Sequence, residues 1–73
     1  MIPYTIYRHY KNKLYLIIGT AKHSETLEDL VVYQAMYDDP EFGKGALWVR
    51  PLSNFLDMVE LNGELVPRFT KLM

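Results

Sequence analysis

The sequence contains no cysteine. That excludes a disulfide framework, a thiolate metal site and a cysteine nucleophile, and it fits a reducing cytoplasm. It also has almost no net charge, −1 at neutral pH. No long-range field therefore draws the chain to phosphate, and a nucleic-acid contact needs a local patch. No apolar run approaches the roughly 18 residues of a membrane span, so no membrane partner is expected. Met1-Ile2-Pro3-Tyr4 lacks the basic and apolar regions of an export signal. Together these absences predict a soluble, cytoplasmic chain. Metal ligands are scarce too. His9, His23 and Glu25 are the nearest to a set, but no third histidine completes it, so neither a metal nor a cofactor is expected. Ser24 and Glu25 beside His23 do not make a catalytic triad without an oxyanion site, and no catalytic residue is assigned.

What is present is a short, apolar chain: 73 residues, 49% of them hydrophobic. Such a length allows one domain over residues 1–73 with a small core. Residues 4–10 read as a first strand, and Lys11-Asn12-Lys13 as a turn. Leu14 to His23 reads as a second strand bent at Gly19. The stretch from Ser24 to Tyr37 is ambiguous. Val31-Val32-Tyr33 favours a strand, whereas Ser24 as a cap with Leu27, Leu30 and Val31 on one face gives the alternative, an α+β fold with a helix over residues 24–37. The strand is preferred. Residues 38–45 read as a loop and 46–50 as a strand stopped by Pro51. Leu52 to Leu56 leaves room for one helical turn, and Asn62-Gly63 marks a hairpin between 58–61 and 64–66. The expected architecture is mainly β, about five strands with one helical turn before the closing hairpin. Trp48-Val49-Arg50-Pro51-Leu52-Ser53-Asn54-Phe55 resembles the corresponding segment of SH3-like barrels, which implies a small five-stranded barrel and leaves the activity open.

Alternation along the strands sorts the side chains into two sets. One is aliphatic: Leu14, Leu16, Ile18, Leu30, Val32, Met36, Leu47 and Val49. The other joins Tyr15, Ile17, Gly19, Ala21 and His23 with Val31, Tyr33, Ala35 and Tyr37, and with Ala46, Trp48 and Arg50. Where these mixed faces meet they form either an aromatic core with Arg50 and His23 at its rim, or a pocket for a small polar or anionic ligand or a peptide. Arg50 suits a carboxylate or phosphate, because its planar fork contacts two oxygens at once. A different reading gathers Arg8, Lys11, Lys13 and Lys22 with Tyr4, Tyr7, Tyr10 and Tyr15 into a single-stranded nucleic-acid surface. Its plainer counterpart is a solvated turn over packed tyrosines. Exposed strand edges also offer a route to a homodimer.

Tyr7-Arg8-His9-Tyr10-Lys11, Tyr15, Gly19, Ala21, His23-Ser24-Glu25-Thr26, Val32-Tyr33, Leu47-Trp48-Val49-Arg50-Pro51, Phe55 and Pro67-Arg68-Phe69 together resemble a bacterial family, the domain of unknown function numbered 1653. The likeness runs from Tyr7 to Phe69. Asn12, where the family commonly has glycine, and a longer loop over residues 38–45 depart from it. The resemblance implies no activity. It singles out Arg8, His9, His23, Ser24, Glu25, Thr26, Tyr33, Trp48, Arg50 and Arg68. With Tyr37 from the face argument, these are the expected ligand-binding residues. In that site Arg50 and Arg8 anchor an anion, Trp48, Tyr33 and Tyr37 stack on it, and residues 23–26 frame the rim.

Overall fold

The computed structural model describes residues 1–73. In chain order the elements are β1 (Ile6–His9), β2 (Leu14–Lys22), β3 (Asp29–Ala35), β4 (Asp38–Asp39), β5 (Gly43–Lys44), β6 (Leu47–Pro51), α1 (Leu52–Phe55), β7 (Met58–Leu61), β8 (Glu64–Pro67) and β9 (Phe69–Lys71). Five strands form one antiparallel sheet in the order β6-β3-β2-β1-β9, while β4–β5 and β7–β8 are separate two-stranded ribbons. The mainly-β expectation and the single helical turn both hold. Barrel closure does not. β6 and β9 are the two edges of an open sheet, and the hairpin expected to close it pairs only with itself. The helix alternative for residues 24–37 also fails. There the chain makes a turn and then β3, because Val31, Tyr33 and Ala35 reach the core by alternating along a strand.

Turn chemistry sets the hairpins. Between β1 and β2, Asn12 takes a positive φ of 69°, its N–H donating to the His9 carbonyl at 2.7 Å. Asparagine tolerates that left-handed backbone nearly as glycine does, so the departure at Asn12 keeps the turn. Asn62 and Gly63, at φ 53° and 83°, join β7 to β8 as expected of a two-residue hairpin turn. The loop expected over residues 38–45 contains the β4–β5 ribbon, organised by Asp39, whose Oδ1 accepts from the N–H groups of Glu41 (2.8 Å) and Phe42 (3.0 Å).

A bulge in β2 decides which side chains share a face. Ile17 pairs with Tyr33 and Gly19 with Val32, so Ile18 is the extra residue. Directly paired residues lie on one side of a sheet. Upstream of the bulge Tyr15 and Ile17 point inward, but beyond it Thr20, opposite Val31, takes the inward side. Gly19 and Ala21 therefore leave the mixed face on which simple alternation places them. That face is the core at its centre: Ile17, Val31, Tyr33, Phe55 and Phe69 are buried together, with Tyr7, Tyr15, Trp48 and Leu52 packed around them. α1 caps this face, seating Phe55 parallel to Phe69 at 4.0 Å and edge-on to Tyr7 and Tyr33 at 5.2 and 5.7 Å. The aliphatic set looks the other way, and Leu47 and Val49 are 64% and 60% exposed.

Candidate functional site

At one rim of the aromatic core lies an open cleft of about 280 Å³, lined by His9, Lys11, Lys13, Tyr15, Tyr33, Trp48 and Arg50. Arg50 reaches it from β6. Its register opposite Val31 turns the side chain inward, where the guanidinium rests over the rings of Phe69 and Tyr33, with Cζ 5.2 and 5.9 Å from their centroids. Its Nε donates to the Tyr33 hydroxyl at 3.0 Å and its Nη1 to Asn54 Oδ1 at 2.9 Å. Asn54 stands four residues on because Pro51 ends β6 and α1 starts at once. The Asn54 backbone carbonyl accepts a second guanidinium bond, from Arg68 Nε at 3.1 Å. One residue thus holds both arginines.

His9 packs edge-on to Phe69 at 4.9 Å, and its Nδ1 accepts the Lys11 N–H at 3.2 Å. Burial, and then the charges of Arg50, Lys11 and Arg68, push its pKa below the usual 6.5. The imidazole is therefore neutral at pH 7, with Nε2 carrying the proton if Nδ1 accepts from Lys11. Tyr15 and Tyr37 share a hydrogen bond of 2.6 Å between their hydroxyls, and Lys13 Nζ sits 4.8 Å from the Tyr37 ring centroid. Burial and that hydrogen bond raise the Tyr15 pKa far above 10, so the phenol stays protonated. Trp48 meets Phe42 edge-on at 5.1 Å, and its indole N–H is buried without an acceptor. No carboxylate lines the cleft; the single ion pair of the chain, Lys22–Asp29, is on the far hairpin.

The structure divides the expected site residues into three groups. His9, Tyr33, Trp48 and Arg50 gather at this rim, with Tyr37 beside them through Tyr15 and Arg68 tied to Arg50 through Asn54. Arg8 does not. Its register opposite Leu14 and Thr70 turns it to the other face, beside a second cleft of about 290 Å³ that Leu61, Val66 and Pro67 help to line. His23, Ser24, Glu25 and Thr26 do not join either, since they turn the chain beyond the far end of β2. By register Arg50 lies across β3 from Thr20, three residues before His23, but its side chain extends over Tyr33 and Phe69, toward the His9 end of the sheet. Beyond β2, His23 Nδ1 accepts from the N–H groups of Glu25 (3.2 Å) and Thr26 (3.3 Å), an arrangement that shapes the turn. The ligand-site reading missed Lys11, Lys13, Tyr15, Asn54 and Phe69. Lys11, Lys13 and Tyr15 carried a visible signal, as part of the basic, tyrosine-rich first turn. Asn54 carried one only once Arg50 and a following helical turn are placed together.

The neutral His9 has a measurable consequence. The unfolded chain protonates near pH 6.5 while the folded chain resists protonation, so the unfolded state binds more protons and stability falls as pH drops from about 6.5 toward the lower folded pKa. Above about 6.5 the effect is absent. Denaturation midpoints recorded between pH 7 and 5 should fall for the wild type and fall less for His9→Gln. Parallel curves for the two proteins contradict this account.

An open antiparallel sheet domain, with an acid-free cationic cleft walled by aromatic rings, is the class that this fold and site define. Residues 5–71 match the family described as Protein of unknown function (DUF1653), and the chain belongs to that family. Its structure is similar to the crystal structure of a protein belonging to the same family from Bordetella bronchiseptica. The two are 32% identical, with a TM-score of 0.84, and the match covers 99% of this chain and 87% of that one. No curated protein matches the chain. The family resemblance read from the residues is thereby established. No helix is long and apolar enough to cross a membrane.

Proposed function

We propose that the chain is a non-catalytic binding module that takes a small organic anion into the cleft at Arg50. One observation carries the reading: Arg50 and Arg68 are held in place by the neutral oxygens of Tyr33 and Asn54, with no carboxylate within ion-pair distance of either. A guanidinium paired with a carboxylate has its charge answered within the protein. One positioned by neutral acceptors keeps its charge for a guest. The rings of Tyr33 and Trp48 supply apolar walls.

A second reading, single-stranded nucleic acid along β1 and its turn, draws on Lys11 and Lys13 beside Tyr10 and Tyr37. Emission from the one tryptophan, Trp48, separates the two. Under the small-anion reading, phosphate esters or aromatic carboxylates shift the emission saturably, with affinity weakening only about in proportion to salt. Oligonucleotides that shift it with a much steeper salt slope favour the second reading. Silence toward both classes, in emission and in calorimetry alike, overturns the module reading.

A further inference from the structure

We infer that the guest carries a phosphate monoester dianion, seated at the edge of this cleft between the guanidinium group of Arg50, which lines it, and that of Arg68, which lies outside the lining but is tied to Arg50 through Asn54. The inference rests on the anion-binding reading above and narrows it to one ligand chemistry. A guanidinium has five N–H donors, and its Nε edge is the usual fork for a single carboxylate. Here both Nε atoms are already engaged, that of Arg50 by the Tyr33 hydroxyl and that of Arg68 by the Asn54 carbonyl. Each arginine is left with its Nη end for a guest. Arg50 has already committed one of those donors to Asn54 Oδ1.

Two blunt cationic ends tied to one residue suit an anion with three outward oxygens better than a flat carboxylate with two. The charge agrees. Two guanidinium groups match the −1.5 to −2 charge, roughly, of a phosphate monoester at pH 7. A phosphodiester or a carboxylate brings only one negative charge. Below the seat, Phe69 stacks on Phe55, and His9 meets the edge of the same Phe69 ring. The seat thus has an apolar floor, and attraction there is screened less than in water. Asn54 is a positioning residue in this arrangement. It holds both arginines without neutralising either.

Three probes of similar aromatic body test the inference by Trp48 emission and calorimetry: phenyl phosphate, diphenyl phosphate and benzoate. Phenyl phosphate is expected to bind at least about tenfold more tightly than the other two, the factor that one extra charge-assisted hydrogen bond supplies. Asn54→Asp keeps an oxygen for Arg50 but adds the missing carboxylate, so it should erase that preference while thermal stability is kept or raised. Asn54→Ala removes the Oδ1 that positions Arg50 and keeps the backbone carbonyl that holds Arg68, so it should weaken phenyl phosphate about tenfold and benzoate little. Inorganic phosphate binding as tightly as phenyl phosphate supports the dianion seat and assigns nothing to the aromatic wall. Equal binding of all three probes overturns the dianion inference and leaves the anion module standing. Binding of none overturns both. A preference that survives Asn54→Asp overturns the role given to Asn54 and the seat built on it.

Discussion

Phe55→Ala is expected to remove about 3–5 kcal/mol of folding stability, the usual range for deleting a buried phenylalanine side chain. Phe55 is 1% exposed and lies flat on Phe69 at 4.0 Å, with Tyr7 and Tyr33 at its edges. Only six residues of the chain are buried, so no reserve of apolar surface can close over the hole. A domain of this length has roughly 4–11 kcal/mol of total stability at about 0.05–0.15 kcal/mol per residue. The loss is therefore a large fraction of the total, enough to unfold the variant if the wild type lies at the low end of that range. Leu56→Ala, one residue on and 62% exposed, is expected to change stability by less than about 0.5 kcal/mol. Urea denaturation followed by near-ultraviolet circular dichroism measures both. Equal losses at the two positions would contradict the place given to α1 as the lid of the core.

The second large effect concerns binding. Arg50→Met keeps an unbranched stem over Phe69 and Tyr33 and removes the charge with its donors. Affinity for an anion is expected to fall on the order of a hundredfold, as follows from losing two charge-assisted bonds of roughly 1.5 kcal/mol each. Arg50→Lys should recover little of this. A lysine ammonium cannot donate to the Tyr33 hydroxyl and Asn54 Oδ1 in the same fixed geometry while still facing a guest. Titration by Trp48 emission, alongside a thermal melt of each variant, reads the outcome. Unchanged affinity in a folded Arg50→Met protein would refute the site at Arg50. Loss of the folded state in that variant would make Arg50 a core residue.

Much of the architecture was legible because it depends on neighbours in sequence. Asn62-Gly63 announces its hairpin through two left-handed residues, and the apolar run of β3 outweighs the capping signal at Ser24. Pro51 marks both the end of β6 and the start of α1. The C-terminal strand β9 was not legible. Three residues after Pro67 carry no pattern of their own, and they become a strand only because β1 offers an unpaired edge to Phe69, Thr70 and Lys71. The site was half legible for a similar reason. Alternation placed Tyr33, Trp48 and Arg50 together, and each pairing bears that out. It failed along β2, where the extra residue Ile18 shifts the face of everything that follows.

The chain by itself therefore determined the local elements: β-strands with aromatic and β-branched residues, tight turns at Asn12 and Asn62-Gly63, one helical turn after Pro51, and membership of its family. Tertiary structure alone decided three things. The sheet stays open, since β7 and β8 satisfy one another instead of joining the edges. Arg8 and the turn at His23 stay out of the cleft, because register turns Arg8 to the other face and the Arg50 side chain extends over Tyr33 and Phe69. Asn54 gathers Arg50 and Arg68 onto one residue. Each of these depends on contacts between residues distant in sequence. A hydrogen bond from Arg68 to Asn54 follows from no propensity of either residue, only from the packing that brings β9 and α1 to the same side of the sheet.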